Sequence, residues 1–469
     1  MKHKKFIILT LVIILLVTVG VLKFLPNKSL KLSSKKYNLI LISIDGLQAK
    51  HLDEYGYSLK TTPNLDEFLD QSTLFTNTVS PSSWTVPTHM SVFTSMYPSE
   101  HKVINKYVDY DLKTQKGVIS NLKNLSPNAV TLAEILKNNG YVTGGFTGDA
   151  GVGAQFGFKQ GFDTYFETET FGGFKGSIPK ALDWLTQNKD KPFFLFLHGY
   201  DVHGQHVPAA GFDYRYVTKP YTGKYTGSKV EQAKLREEGL ANGGKLNLSN
   251  QDVSFWRAIY DEKINDMDSE FKQFMDQVKS MNLLDNTVII VMSDHGTEFY
   301  EHKSIDHGAT LYGELVDVLF AIRQPGQKSG QKNNQLVSTL DILPTALDLL
   351  GIQNPVPQQT KGIDLVPALN DNKDIAHDVF SETDCRLFTF KRSLTTKDGW
   401  KLILTLENGN KELFNLNNDS AEQKNLITEN PQKGYELEQI LNKHIEDTAS
   451  QRTSSQLGCS PVYGDQCKK

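Results

Sequence analysis

The sequence predicts an α/β fold, a mostly parallel β-sheet sandwiched by helices, followed by a small C-terminal unit of antiparallel strands and a helix. Three observations carry this expectation. Tyr37 to Ile44, Phe193 to Leu197 and Val288 to Met292 are short apolar runs with the length and texture of strands buried on both faces. Helical patterns lie between them, among them Thr131 to Asn139 and Phe255 to Met281, and alternation of the two types builds a parallel sheet covered on both sides. After about Ile375 the texture changes: Arg392 to Leu404 and Glu412 to Leu416 read as antiparallel strands joined at Gly/Asn turns, with a helix near Gly434 to Ile445.

Composition narrows the class. The chain has 469 residues, with 50 Lys+Arg against 54 Asp+Glu and a formal net charge of -4. That balance gives no support for nucleic acid as a partner, which needs a basic excess. With 39% hydrophobic residues the chain can bury a large core, which excludes disorder as a whole-chain reading. Three cysteines, Cys385, Cys459 and Cys467, are too few for a disulfide framework, although the last two bracket a tail loop and are close enough in sequence to pair.

The chain divides into a basic start (1–5), an apolar run (6–25), a tether (26–36), a main domain (37–375), the C-terminal subdomain (376–446) and a polar tail (447–469). Phe6 to Leu25 carries one charge, Lys23, and twenty residues at ~1.5 Å rise match a bilayer's hydrocarbon thickness. With no small-residue cleavage site after it, the run reads as an uncleaved signal anchor. The expectation is a single-pass protein of the cell membrane with its main domain extracytoplasmic. Residues 217–250 are polar and rich in Gly and Lys, and read as an insertion or lid.

Half of the twelve histidines fall in two short windows, 198–206 and 295–307, and each window opens at the carboxyl end of a predicted strand. Asp45 ends a third. Ligands of open α/β sheets bind outside those strand ends, so Asp45, Asp201, His203, Asp294, His295 and His307 are expected on one rim. Mixed carboxylates and imidazoles are the donors that zinc, manganese and similar ions take. Thr85 precedes Pro87, which fits the first turn of a helix running toward Met96. By itself Thr85 is an N-cap threonine. Beside a metal it becomes a nucleophile, because coordination activates a hydroxyl.

Asn38 to Gly46, Thr62 to Leu65, Phe75 to Asn77 and Ser83 to Pro98 resemble the N-terminal half of the sulfatase branch of the alkaline phosphatase superfamily. Ser293 to Gly296, His307 to Tyr312, Leu340 to Thr345 and Glu412 to Leu426 continue the resemblance in order. It implies an alkaline-phosphatase-like fold and a metal-dependent ester hydrolase. Sulfatases with formylglycine chemistry carry Cys or Ser where this chain has Thr85, Arg where it has His89, a second Asp where it has Gly46, and a sulfate-binding Lys where it has His307. These departures resemble phosphoesterases and phosphoethanolamine or phosphoglycerol transferases with a Thr nucleophile.

The resemblance implies that Asp45, Thr85, Asp294 and His295 hold a first metal. His203 and His307 then hold a second ion or the leaving-group oxygen, with Asp201 an extra ligand. Zinc or manganese is favoured, calcium being the alternative. His206 and His302 are expected at the surface, and His3, His51, His101, His377 and His444 in structural or surface roles. The leading expectation is cleavage of phosphate mono- or diesters, the substrate an anionic ester of lipid or cell-envelope type suited to an anchored enzyme. Sulfuric ester hydrolysis, the transferase reaction and a non-catalytic binding protein on the same fold are the rivals.

Overall fold

The computed structural model describes residues 36–449, apart from 105–108, 112–115, 119–123, 149–150, 169–171, 205, 209–210, 242–245, 372 and 386–388. The expected anchor at 6–25 and residues 450–469 of the tail, with Cys459 and Cys467, lie outside the described residues. Among those described, no helix is long and apolar enough to cross a membrane. On that finding the single-pass membrane placement expected from the apolar run is corrected and is not carried further.

Eight strands form the main sheet: β1 (Asn38–Ile44), β2 (Thr73–Phe75), β3 (Val142–Thr147), β4 (Thr164–Glu167), β5 (Phe193–Gly199), β6 (Thr287–Ser293), β7 (Phe320–Arg323) and β8 (Gln331–Asn333). Their order is β8-β2-β7-β6-β1-β5-β3-β4. All pairings are parallel except those of β7, which runs against both β2 and β6. The mostly parallel sheet expected from the sequence is therefore present, with one reversed strand.

The three strands singled out from sequence, β1, β5 and β6, are neighbours at the sheet's centre, and every residue in them is buried. A pleated strand sends alternate side chains to opposite faces. Ile40, Ile42 and Ile44 accordingly join one apolar core, and Leu39 and Leu41 the other. Helices cover both: α1 (Thr85–Thr94) supplies Val86, Met90 and Phe93 to the second core, while α2 (Gly173–Asn188) and the 31-residue α4 (Asn250–Ser280) pack on the first. Ser249 caps α4, its hydroxyl accepting from Asp252 N–H while the Asp252 carboxylate accepts from Ser249 N–H. The polar stretch at 217–250 contains a further helix, α3 (Lys229–Ala241).

The C-terminal unit is a four-stranded antiparallel sheet, β9 (Val379–Thr383), β10 (Lys391–Thr395), β11 (Trp400–Thr405) and β12 (Lys411–Asn415), paired in chain order. Helix α5 (Pro431–Ala449) lays Leu437 and Leu441 on Leu394, Leu402 and Leu413. A buried carboxylate keys this unit to the main domain. Glu382 of β9 accepts from the backbone N–H and hydroxyl of Ser99 at 2.8 and 2.9 Å and meets His444 Nε2 of α5 at 3.2 Å.

Candidate active site

Sheet register assembles the site. Ile44 stands opposite both Gly199 and Ser293, so the residues just past β1, β5 and β6 emerge side by side at their carboxyl ends. Gly46 turns the chain there with φ +72°, a left-handed conformation that favours glycine. The resulting approach is close: a Cβ at Gly46 would stand 3.6 Å from His203 Cα and 3.7 Å from His295 Cε1.

Thr85 is the first residue of α1, and its N-cap is Trp84, whose side chain makes no capping bond. The Thr85 hydroxyl is therefore not a cap. It donates to Asp45 Oδ2 at 3.2 Å and lies 3.3 Å from His295 Nε2. Asp45, Asp294 and His295 are wholly buried around it. Asp294 Oδ1 accepts from Gly46 N–H (3.1 Å) and His295 N–H (2.9 Å), which aims Oδ2 inward.

These buried carboxylates are incompletely satisfied. Asp45 Oδ1 and Asp294 Oδ2 have no hydrogen-bond partner, and both lie 3.5 Å from His295 Nε2. His295 Nδ1 faces its neighbour's carbonyl, Gly296 O, at 2.7 Å, so that nitrogen carries a proton and Nε2 is turned to the carboxylates. Burial opposes charge on the ring, but Asp294 and Asp45 outweigh it and lift His295 to about 9. Burial and then the Asp45 charge raise Asp294 to about 6. Burial also works against the Asp45 charge, yet hydrogen bonds from His198 and His295 hold it well below the usual carboxylate range. Orphaned buried oxygens of two aspartates converging with an imidazole nitrogen are the donor set of a divalent cation, and Asp45, Asp294 and His295 fit one together.

A second donor group adjoins the first. His307 stacks on His295 with ring centroids 4.2 Å apart, and His203 Nε2 faces His307 Nε2 across 3.4 Å. His307 Nδ1 contacts Asp306 Oδ1, which fixes the ring's tautomer. His203, Asp306 and His307 can also hold an ion.

Of the residues singled out from sequence, Asp45, Thr85, Asp294, His295, His203 and His307 come together. Asp201 does not. Its carboxylate accepts from Phe174 N–H at 2.8 Å in the first turn of α2, and it belongs to neither donor group. Burial pushes it up to about 7. Asp306 stands where Asp201 was expected, and its sequence signal was adjacency to His307.

Sequence reasoning also missed His198, whose Nε2 meets Asp45 Oδ2 at 3.2 Å while Nδ1 meets Thr147 Oγ1 at 3.0 Å. His89, noted only as a replacement for Arg, lies beneath Thr85. Its Nδ1 donates to Thr85 O at 2.9 Å, its Nε2 accepts from Ser43 Oγ at 2.8 Å, and burial keeps it neutral, lowered to about 3. His302 is not a surface residue: it is half-buried against Glu314 and the Glu422 carbonyl. His51 and His101 are buried in hydrogen bonds to Asp261 and Ser91, as structural residues should be.

The sequence matches the Sulfatase family model over residues 37–352 and the model "N-sulphoglucosamine sulphohydrolase, C-terminal" over residues 300–451. An ulvan-active sulfatase of Formosa agariphila is 24% identical over 348 residues, 69% of this chain and 53% of its own length. The chain spans 22% to 53% of the length of the first curated relatives it matches. Among solved structures, a protein in complex with its substrate D-glucosamine-2-N,6-O-disulfate has a TM-score of 0.68 at 17% identity, covering 89% of this chain and 99% of the other. The phosphonate monoester hydrolase of Agrobacterium radiobacter has a TM-score of 0.69 at 18% identity, covering 88% and 96%. At those identities the likeness is one of fold.

Proposed function

The chain belongs to the sulfatase family, a family of metal-dependent hydrolases, and from that premise we propose that it cleaves an anionic ester by attack of Thr85. The observation that carries the reading is the convergence of Asp45 Oδ1, Asp294 Oδ2 and His295 Nε2 beside the Thr85 hydroxyl. The ester favoured is a sulfuric one, because the relatives are named as sulfatases. This departs from the phosphoric ester favoured by the sequence alone.

Asp45, Asp294 and His295 would hold a divalent ion, zinc or manganese by donor type, with Thr85 as a further ligand. Such an ion offsets the paired carboxylate charge and acidifies a nearby hydroxyl. The protein's own residues do the rest. His198 holds Asp45, and Asp45 accepts the hydrogen bond of the Thr85 hydroxyl, which fixes that hydroxyl's orientation. His89 anchors the Thr85 carbonyl. In this reading Thr85 passes its proton to Asp45 Oδ2, its hydrogen-bond acceptor, and Oγ1 bonds to the ester's sulfur or phosphorus while the bond to the leaving alkoxide breaks. The alkoxide takes a proton from a water beside His203 and His307, and the hydroxide left by that water displaces Thr85, whose oxygen recovers its proton from Asp45.

A phosphoric ester is the second reading, and a specific observation favours it. The nucleophile position holds a threonine, which cannot become formylglycine, and a second donor group stands beside the first, as in sites that clamp both oxygens of an in-line phosphoryl displacement. The test is turnover of p-nitrophenyl sulfate, p-nitrophenyl phosphate, bis-p-nitrophenyl phosphate and a phenyl phosphonate ester with added zinc, manganese or calcium. Sulfate-ester turnover that disappears in Thr85→Ala supports the first reading, phosphoester turnover that does so supports the second, and full turnover in Thr85→Ala overturns both.

A further inference from the structure

Helix α3 of the polar insertion carries Gln232 and Arg236, four residues apart and so on one face. Each leads to one histidine of the facing pair. Gln232 Oε1 accepts from Lys263 Nζ of α4 at 2.6 Å. Lys263 is buried, and it donates also to the backbone carbonyls of His203 (3.0 Å) and Gly204 (3.2 Å). All three ammonium protons are thereby used, two of them on the segment that carries the His203 ring.

Arg236 approaches the other histidine through a carboxylate. Its buried Nε has no hydrogen-bond partner and lies 3.7 Å from Asp306 Oδ2, while Asp306 Oδ1 contacts His307 Nδ1. Asp306 has φ +91°, strained for a residue with a side chain, and is pinned opposite Glu298 in a short hairpin of Glu298–Phe299 and Ile305–Asp306. The two routes meet, because a Cβ on Gly204 would lie 3.1 Å from Asp306 Oδ2. Gly204, Gln232, Trp256, Lys263 and Asp306 line one small cavity beside α3.

We propose that α3 is a positioning element for the site, its Gln232 fixing His203 through Lys263 and its Arg236 fixing the His307 ring through Asp306. What the histidine pair does rests on the hydrolase reading above. That the helix fixes it does not. A carboxylate on Nδ1 decides which imidazole nitrogen carries the proton, and Arg236 is the cation that steadies that carboxylate.

The test is NMR of the full chain with ¹⁵N-labelled histidine, the His307 signals assigned through His307→Gln, together with zinc titration of the same samples. The wild type is expected to show His307 protonated at Nδ1. Arg236→Met should move that signal toward a mixture of tautomers and weaken zinc binding about 10-fold or more, the range seen when groups supporting metal ligands are removed. Arg236→Lys should restore both, and Lys234→Ala, exposed on the same helix, should change neither. If Arg236→Met does not fold, Gln232→Leu read on the His203 signal replaces it. His307 signals that stay unchanged in Arg236→Met, or His203 signals that stay unchanged in Gln232→Leu, overturn the proposal. Absence of ester turnover in the wild type would sink the hydrolase reading alone, since the NMR result is independent of it.

Discussion

Asp294→Asn separates a site built to hold a cation from one that merely contains buried acids. Asparagine keeps the oxygen that accepts from the Gly46 and His295 N–H groups. It replaces Asp294 Oδ2, which has no hydrogen-bond partner, by a neutral amide 3.5 Å from His295 Nε2. In the metal-free protein the wild-type carboxylate is a burden. Burial and Asp45 raise it to about 6, above the ordinary carboxylate value. At about 1.4 kcal/mol per pKa unit, ionising it in the folded state costs on the order of 1–3 kcal/mol. Because the folded value is the higher one, this cost is absent at acid pH, grows as pH rises from about 4, and is complete above about 6. With metal in excess, about 100 times its Kd, the wild type regains roughly 2.7 kcal/mol by mass action. In EDTA at pH 7.5 relief of that cost is opposed by loss of the Asp294 charge that helps lift His295 to about 9, so Asp294→Asn should melt close to wild type there, and well below wild type with zinc or manganese. Differential scanning calorimetry in the two buffers reads both comparisons. A variant whose melting temperature rises with metal as much as the wild type's would refute the reasoning.

Other outcomes follow from the same geometry. Thr85→Ala should lower kcat by about 10³-fold or more while metal stoichiometry, measured by elemental analysis, stays at the wild-type value, because the loss is of a nucleophile. Asp201→Ala should cost roughly 1–2 kcal/mol in urea denaturation through loss of the bond to Phe174 N–H, and should leave metal content unaltered. Glu382 is opposed by burial, but Arg392 and His444 outweigh it and hold it down to about 2. Its stabilisation is present above the ordinary glutamate value and lost as pH falls from about 4.5 through about 2, and Glu382→Gln should remove about 3 kcal/mol of it at neutral pH. Urea midpoints between pH 3 and 7 would record a flatter profile for the variant.

The central strands were legible because full burial on both faces leaves an unbroken apolar run, and the residues that end such runs in Asp45-Gly46 and Ser293-Asp294-His295 could hardly be ordinary surface. Thr85 was ambiguous for a physical reason. A helix-starting threonine looks the same whether its hydroxyl caps the backbone or turns to a carboxylate, and only the tertiary approach of β1 decides. Asp201 misled because it lies near His203 in a cluster of the right residue types, whereas a two-residue offset past β5 points it to the start of α2. The meeting of Asp306 with Arg236 was not legible, since it depends on a left-handed residue and on a helix packed from an insertion. The reversed strand β7 is too short, at four residues, to announce its direction.

Strand β1 occupies the middle of the sheet, yet its neighbour β6 lies some 250 positions downstream, the span crossed by the bond from Gly46 N–H to Asp294. Contacts of such sequence separation close late, after the entropy of a long loop has been met. A nascent chain that has emerged only as far as α4 thus holds Asp45 and Thr85 but neither Asp294 nor His295, and an ion has no complete cage to enter. In that reading, capture of an ion by these groups waits until β6 has been made. An ion held there would join the first strand of the sheet to its sixth, so that separating those two strands would also cost the free energy of binding the ion.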